Sequence, residues 1–227
     1  MIRYRIPAIV ALCTISTPAL LRGEERSQYR TYVLGMDVST VLKLADKADS
    51  DLKVIHQRPA LIQVLQWGDL RSLGPTPSAM ESVRGIQFHF CNGSLYQLDV
   101  LYDRNKTEAL TDEDLIQTIS ATYGAATQPD AEILFPAVFP ENVKVLARWE
   151  DSKSSLNLVR SPAQSVPALI FVSKAGDSLA QTAIVAATKI EEEEAPQVEA
   201  ARQKKADDTK RMEQEKTRAT NKARFHM

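Results

Sequence analysis

Apolar and polar residues alternate with a period of two through Val83–Asp103. Ile86, Phe88 and Phe90 fall on one side of a first run; Tyr96, Leu98, Val100 and Tyr102 fall on one side of a second. Aromatic and β-branched residues at that period predict two half-buried strands. Asn92-Gly93 between them predicts a tight turn, because both residues tolerate positive φ. A plain two-residue loop would pair Phe90 with Leu95 and Phe88 with Gln97, turning Gln97 and Asp99 onto the apolar face. A three-residue loop would pair Phe90 with Tyr96 and Phe88 with Leu98. One residue of slip inverts a whole strand, so the apolar pattern predicts an odd loop or an adjacent bulge. Gln87, His89, Gln97 and Asp99 then share the opposite face. That face is expected to be wet, as in an antiparallel sheet covered on one side.

The same reading extends along the chain. Asp37 is an N-cap candidate, with Val38, Val41, Leu42 and Ala45 at helical spacing behind it. Leu52–Gln57 and Leu61–Trp67 read as strands interrupted at Arg58-Pro59, since proline donates nothing to a ladder. Gly74-Pro75-Thr76-Pro77-Ser78 is a loop. Leu110–Gly124 is the strongest helix signal. Thr111 is its N-cap, Asp112, Glu113 and Asp114 fill the first turn, Leu115, Ile116, Ile119 and Tyr123 form the stripe, and Gly124 closes it. A proline-containing loop through Pro129, Pro136 and Pro140 follows. Val143, Val145, Ala147 and Trp149 alternate as one strand, Glu150-Asp151-Ser152 turns, and Leu156/Leu158 and Ala168–Val172 mark two more strands.

Helix, strand ending in tryptophan, strand, strand therefore occurs twice, with Trp67-Gly68-Asp69 and Trp149-Glu150-Asp151 in matching places. The expected fold class is α+β: antiparallel sheet backed by short helices, in two α-β-β-β half-repeats at 32–107 and 108–174. A single irregular α+β domain with coincidental helix placement is the competing arrangement. A docking helix over 175–190 carries Leu179, Ala180, Ala183, Ile184, Ala187 and Ile190. From 191 to 227 the chain becomes a charged tail, helical or disordered, in which Pro196 is expected to limit any continuous helix. It lacks the a/d stripe of a coiled coil.

The amino-terminal pattern changes the compartment. Arg3 and Arg5 precede a short apolar run over Ile6–Ile15, so 1–21 reads as a secretory signal and 22–31 as a spacer. Leu12 before Cys13 departs from a lipidation box. The protein is expected to be exported to the periplasm or beyond, with no transmembrane span after processing.

With 227 residues, 44% hydrophobic, and a net charge of −1, the chain can bury a core and is too balanced to suggest a nucleic-acid partner. Its tail mixes both charge signs without aromatics, which also argues against a stacking platform. His56, His89 and His226 lie at no metal-ligand spacing and no Cys-x-x-Cys occurs, so no metal or cofactor is expected. Arg58, Arg104 and Arg160 flank strand ends as solvated charges. Cys91 and His89 share a strand face at i and i+2, and with Asp99 could form a nucleophile and its base. A regular strand supplies none of the dipoles that activate a thiol, so no catalytic residue is assigned.

Gly35-Met36-Asp37-x-x-x-Val41 resembles the helix start of outer-membrane assembly lipoproteins of the SmpA/OmlA (BamE-like) type. The doubled helix-plus-meander order resembles the β-lactamase-inhibitor-protein fold. The resemblance spans Leu34 to about Asp103 and repeats loosely over Leu110–Lys174; it implies a non-catalytic protein-binding module on the envelope side. The chain is also similar to secreted bacterial proteins with a charged carboxyl-terminal tail. The expected partner is another envelope protein, contacted through the polar sheet face or a strand edge by Trp67, Gln87, His89, Gln97 and Asp99. The alternative is a small-molecule or envelope-polymer site between the halves, lined by Trp67, Trp149 and Tyr102.

Overall fold

The computed structural model describes residues 26–68, 70, 82–134, 142–160 and 166–224. The expected signal segment, Cys13, Asp69, the loop through Pro77, Pro136, Pro140 and His226 lie outside them. The described chain is antiparallel sheet with helices on both faces. In order come β1 (Gln28–Tyr29), β2 (Tyr32–Val33), α1 (Val38–Ala45), a single 3-10 turn (Asp49–Asp51), β3 (Lys53–His56), β4 (Ile62–Gly68), β5 (Val83–Cys91) and β6 (Ser94–Tyr102). Then follow α2 (Arg104–Thr107), α3 (Asp112–Tyr123), β7 (Glu132–Leu134), β8 (Asn142–Glu150), β9 (Ser154–Arg160), β10 (Pro167–Ser173) and α4 (Lys174–Arg224).

Local chemistry sets the helix ends. Asp37 accepts the Thr40 N–H at 3.0 Å and starts α1. Thr111 and Asp114 cap α3 reciprocally: the Asp114 N–H donates to the Thr111 hydroxyl at 3.1 Å, and the Thr111 N–H to Asp114 Oδ2 at 2.9 Å. Gly124 ends α3 at φ 87°, a left-handed value that favours glycine.

The eight long-range strands form one sheet in the order β3-β4-β5-β6-β10-β9-β8-β7, every neighbour antiparallel. β3–β6 make one meander and β7–β10 another. They meet at β6–β10, where Val100 lies opposite Leu169. Each meander follows a helix, α1 or α3, and has four strands rather than the expected three. The extra strand in the second, β7, falls where the proline-containing loop was expected, and β1 of the β1–β2 hairpin falls inside the expected spacer, with β2 at the start of the expected first half.

One sheet face carries the main core. Phe88, Phe90, Leu98, Val100, Trp149, Leu156, Leu158, Leu169 and Phe171 pack there beneath Val41, Leu42 and Ala45 of α1 and Tyr123 of α3. The β1–β2 hairpin completes the cover, with the Tyr32 ring 4.8 Å from Phe88 and the Tyr29 ring 5.6 Å from Phe171.

Two bulges decide which side chains reach that core. Asn92 and Gly93, at φ 50° and 80°, make a two-residue turn that pairs Phe90 with Leu95. A bulge then skips Tyr96 and restores Phe88 opposite Leu98 and His89 opposite Gln97. The expected bulge is present, but Tyr96 leaves the apolar set of Leu98 and Val100 and packs with Cys91, Ala180 and Ala183 on the other face. A second bulge, between Val145 and Ala147, splits the expected single stripe of β8. Val143 and Val145 join Leu101, Val159 and Ile170 on one face, whereas Ala147 and Trp149 enter the main core.

α4 roots on the second face through Ala180, Ala183 and Ala187. It runs unbroken through Pro196, contrary to expectation. Proline removes one intrahelical donor; the alanine, glutamate, glutamine and lysine around it are strong helix formers and carry the helix on both sides.

Candidate functional site

The register of β5 and β6 brings four of the five expected contact residues together: His89 lies opposite Gln97 and Gln87 opposite Asp99. His89 Nε2 lies 2.8 Å from Asp99 Oδ2, and Gln97 Nε2 donates to Asp99 Oδ1 at 2.8 Å. The shared face follows from the strand period; Gln87 and Gln97 are half-buried on it, and the other two residues are shut off from water. Asp99 is 1% exposed and His89 8%. The root of α4 crosses beside them so closely that a Cβ on Gly176 would stand 2.6 Å from the Tyr96 Cβ. The Tyr96 ring lies 6.1 Å from His89. Burial, followed by the Asp177 and Asp99 carboxylates, pushes the Tyr96 hydroxyl above its ordinary range.

The polar row continues across the sheet: Asp99 faces Ile170, Ile170 faces Asn157, and Asn157 faces Arg148. Arg148 Nε donates to Asn157 Oδ1 at 2.6 Å, and Asn157 Nδ2 reaches the Ile170 carbonyl at 3.4 Å. Sequence reasoning missed this second half. Its only signal was one asparagine between Leu156 and Leu158 in an apolar strand. Carboxylate, imidazole and amide satisfy one another on β5 and β6, and Arg148 and Asn157 do so on β8 and β9, so both buried polar sets are hydrogen-bonded.

The remaining expected residues separate. Trp67 sits on β4 opposite Ile86 and packs, partly buried, against the main core on the other face. Trp149 is completely buried, and its indole N–H donates to the Gly124 carbonyl at 2.9 Å, so it lines no open cleft. Tyr102 is half-buried, its hydroxyl pushed up by burial and by Tyr29. Cys91 is buried with Ile62 and Ala183, and burial pushes its thiol up. That is the opposite of the depressed value an attacking thiolate needs. Among the described residues no three His, Cys, Asp or Glu side chains converge as metal ligands. No helix among them is long and apolar enough to cross a membrane.

The accessible feature lies at the sheet's edge. β3 pairs with β4 on one side alone among the described residues. Its Val54 and Ile55 are 43% and 40% exposed. Val54, Ile55, His56 and Arg58 form one wall of a groove whose other wall is Ala187, Ile190 and Glu191 of α4. Two polar contacts hold the walls together: His56 Nδ1 lies 2.8 Å from Glu191, and Arg58 grips both oxygens of Glu194 at 3.2 and 2.7 Å. The Arg58 hydrogen bonds hold the Glu194 carboxyl below the ordinary carboxylate range. Chemically the groove offers apolar contact and unpaired strand backbone, and no activated nucleophile.

Comparison of the chain with protein-family models, curated proteins and solved structures returned no match.

Proposed function

We propose that the chain is an exported, non-enzymatic module of the bacterial cell envelope that binds another protein by its β3 edge. The carrying observation is an edge strand with two exposed apolar side chains, Val54 and Ile55, lying beside an apolar wall of α4. An extended partner segment satisfies such an edge by main-chain pairing while its side chains take the groove. The burial of His89 and Asp99 on the polar face favours the β3 edge over that face as the contact surface. Export rests on the positive, then apolar, amino-terminal pattern. The two helix-plus-meander halves are read as products of a duplication; their meeting at the antiparallel β6–β10 pair supports this, and with it the likeness to the β-lactamase-inhibitor-protein fold.

The test is cell fractionation followed by affinity capture with wild type and a Val54→Lys/Ile55→Lys variant, both checked for folding by circular dichroism. The proposal expects a processed envelope protein that captures one defined partner, with the folded variant losing it. An unprocessed cytoplasmic protein, or equal capture by the variant, would sink the proposal.

A further inference from the structure

We propose that the distal part of α4 docks on the body of a second copy of this chain. The helix leaves the body at Glu194, where Arg58 makes the last tie. Residues 195–224 continue as helix, all exposed except the half-buried Asp208. At 1.5 Å per residue this arm reaches about 45 Å. A helix that is polar on every side is stabilised by dense ion pairs along itself or by bridging to something else. Dense pairs are absent among the described residues: beyond Glu194 only Glu199–Arg202, at 4.0 Å, and Asp208–Arg211, at 3.1 Å, qualify.

Charge names the occupant. Residues 195–227 hold nine Lys and Arg against five Asp and Glu, whereas 26–194 hold sixteen against twenty-two. The arm is basic and the body acidic. Lys204, Arg211 and Arg218 recur every seven residues, with Lys222 four further on, so they share one helix face. A continuous helix pointing away cannot fold that face onto its own body, but it can lie on another copy's. One acidic groove of the body is lined by Asp112, Glu113 and Asp130, with Lys144 as its cation and Arg160 already bonded to Asp112 at 2.7 Å. Insertion into a lipid surface is the poorer fit. The large apolar residues exposed on the arm are Val198 and Met212, too few for an apolar face. Mutual docking of two arms closes a two-fold dimer.

The experiment is sedimentation of the full-length protein across a concentration series at low and high salt. It is paired with flotation on vesicles of anionic phospholipid. The proposal expects a monomer–dimer equilibrium that shifts to monomer at high salt, where exposed charges are screened. A Lys204→Glu/Arg211→Glu/Arg218→Glu/Lys222→Glu variant should dimerise at least about tenfold more weakly, since each exposed pair contributes a small increment. Adding Glu113→Lys and Asp130→Lys should restore part of that affinity, which misfolding would not do. A monomer under all conditions, a dimer indifferent to the reversed charges, or vesicle binding without self-association would overturn the proposal. Partner capture at β3 is read separately, so either proposal can fail without the other.

Discussion

Replacing Trp149 with alanine would remove the largest fully buried side chain of the main core, 0% exposed between α3 and the β8–β9 pair. Emptying a site of this size costs about 3–5 kcal/mol when the surroundings collapse only partly. The indole N–H also satisfies the Gly124 carbonyl, 2.9 Å away, at the end of α3. Orphaning that acceptor adds about 1 kcal/mol or more. A total near 4–6 kcal/mol is comparable with the whole stability of a domain, about 5–15 kcal/mol. Trp149→Phe keeps one aromatic ring while removing the donor and leaving a smaller cavity; about 1–3 kcal/mol is expected. The assay is urea unfolding followed by far-ultraviolet circular dichroism, with Trp67 left as the fluorescent reporter. At a slope of about 2 kcal/mol per molar urea, the alanine variant moves the midpoint by about 2–3 M, or fails to fold. A shift below about 0.5 M would show that Trp149 lines an open cleft. It would return the pocket between the two halves to first place.

Three further outcomes follow from named contacts. Asp99→Ala strips the acceptor from both His89 and Gln97 under the root of α4 and should destabilise by about 3–5 kcal/mol in urea unfolding; Asp99→Asn, which keeps an acceptor, should cost measurably less, and equal losses would contradict the hydrogen-bonded cluster. Gly176→Ala, ordinarily stabilising in a helix by about 0.5–1 kcal/mol, should instead lower the melting temperature, because its Cβ meets the Tyr96 Cβ at 2.6 Å. In acid, Asp37 (held low by the Ser39 and Thr40 hydroxyls) and Asp114 (held low by Thr111) lose their advantage. Their folded values lie below the unfolded ones, so this stabilisation is complete above about pH 4–5 and disappears as pH falls through the folded values. Thr111→Ala should cost about 1 kcal/mol at neutral pH and flatten the acid limb of a melting-temperature profile; an unchanged acid limb would refute the capping role.

The sequence revealed most where a signal was local. Asn92-Gly93 needs positive φ, and Thr111 with Asp114 and Gly124 brackets a helix by its own hydrogen bonds, so turn and helix were legible without knowing the rest of the fold. The α+β class and the antiparallel sheet followed from strand period. The sides of Tyr96 and of Val143 with Val145 were not legible. A bulge adds one residue to one strand and reverses facing beyond it, and its position depends on the partner strand. The polar set Gln87, His89, Gln97 and Asp99 was found as a set but expected in water. Strand period gives a common face; it does not say that α4, some eighty residues later, lies beside it and helps bury His89 and Asp99. The β3 edge stayed hidden for a related reason: Val54 and Ile55 look like core residues until strand order puts them last in the sheet.

A photo-cross-linking residue placed at Ile55, and separately at Gln97, in the full-length protein inside cells tests binding at the β3 edge. Edge pairing at β3 predicts one discrete adduct with an envelope protein from position 55 and none from position 97, which is half-buried on the face beside α4. An adduct from position 97 alone, or none from position 55 in a folded and exported protein, would contradict it.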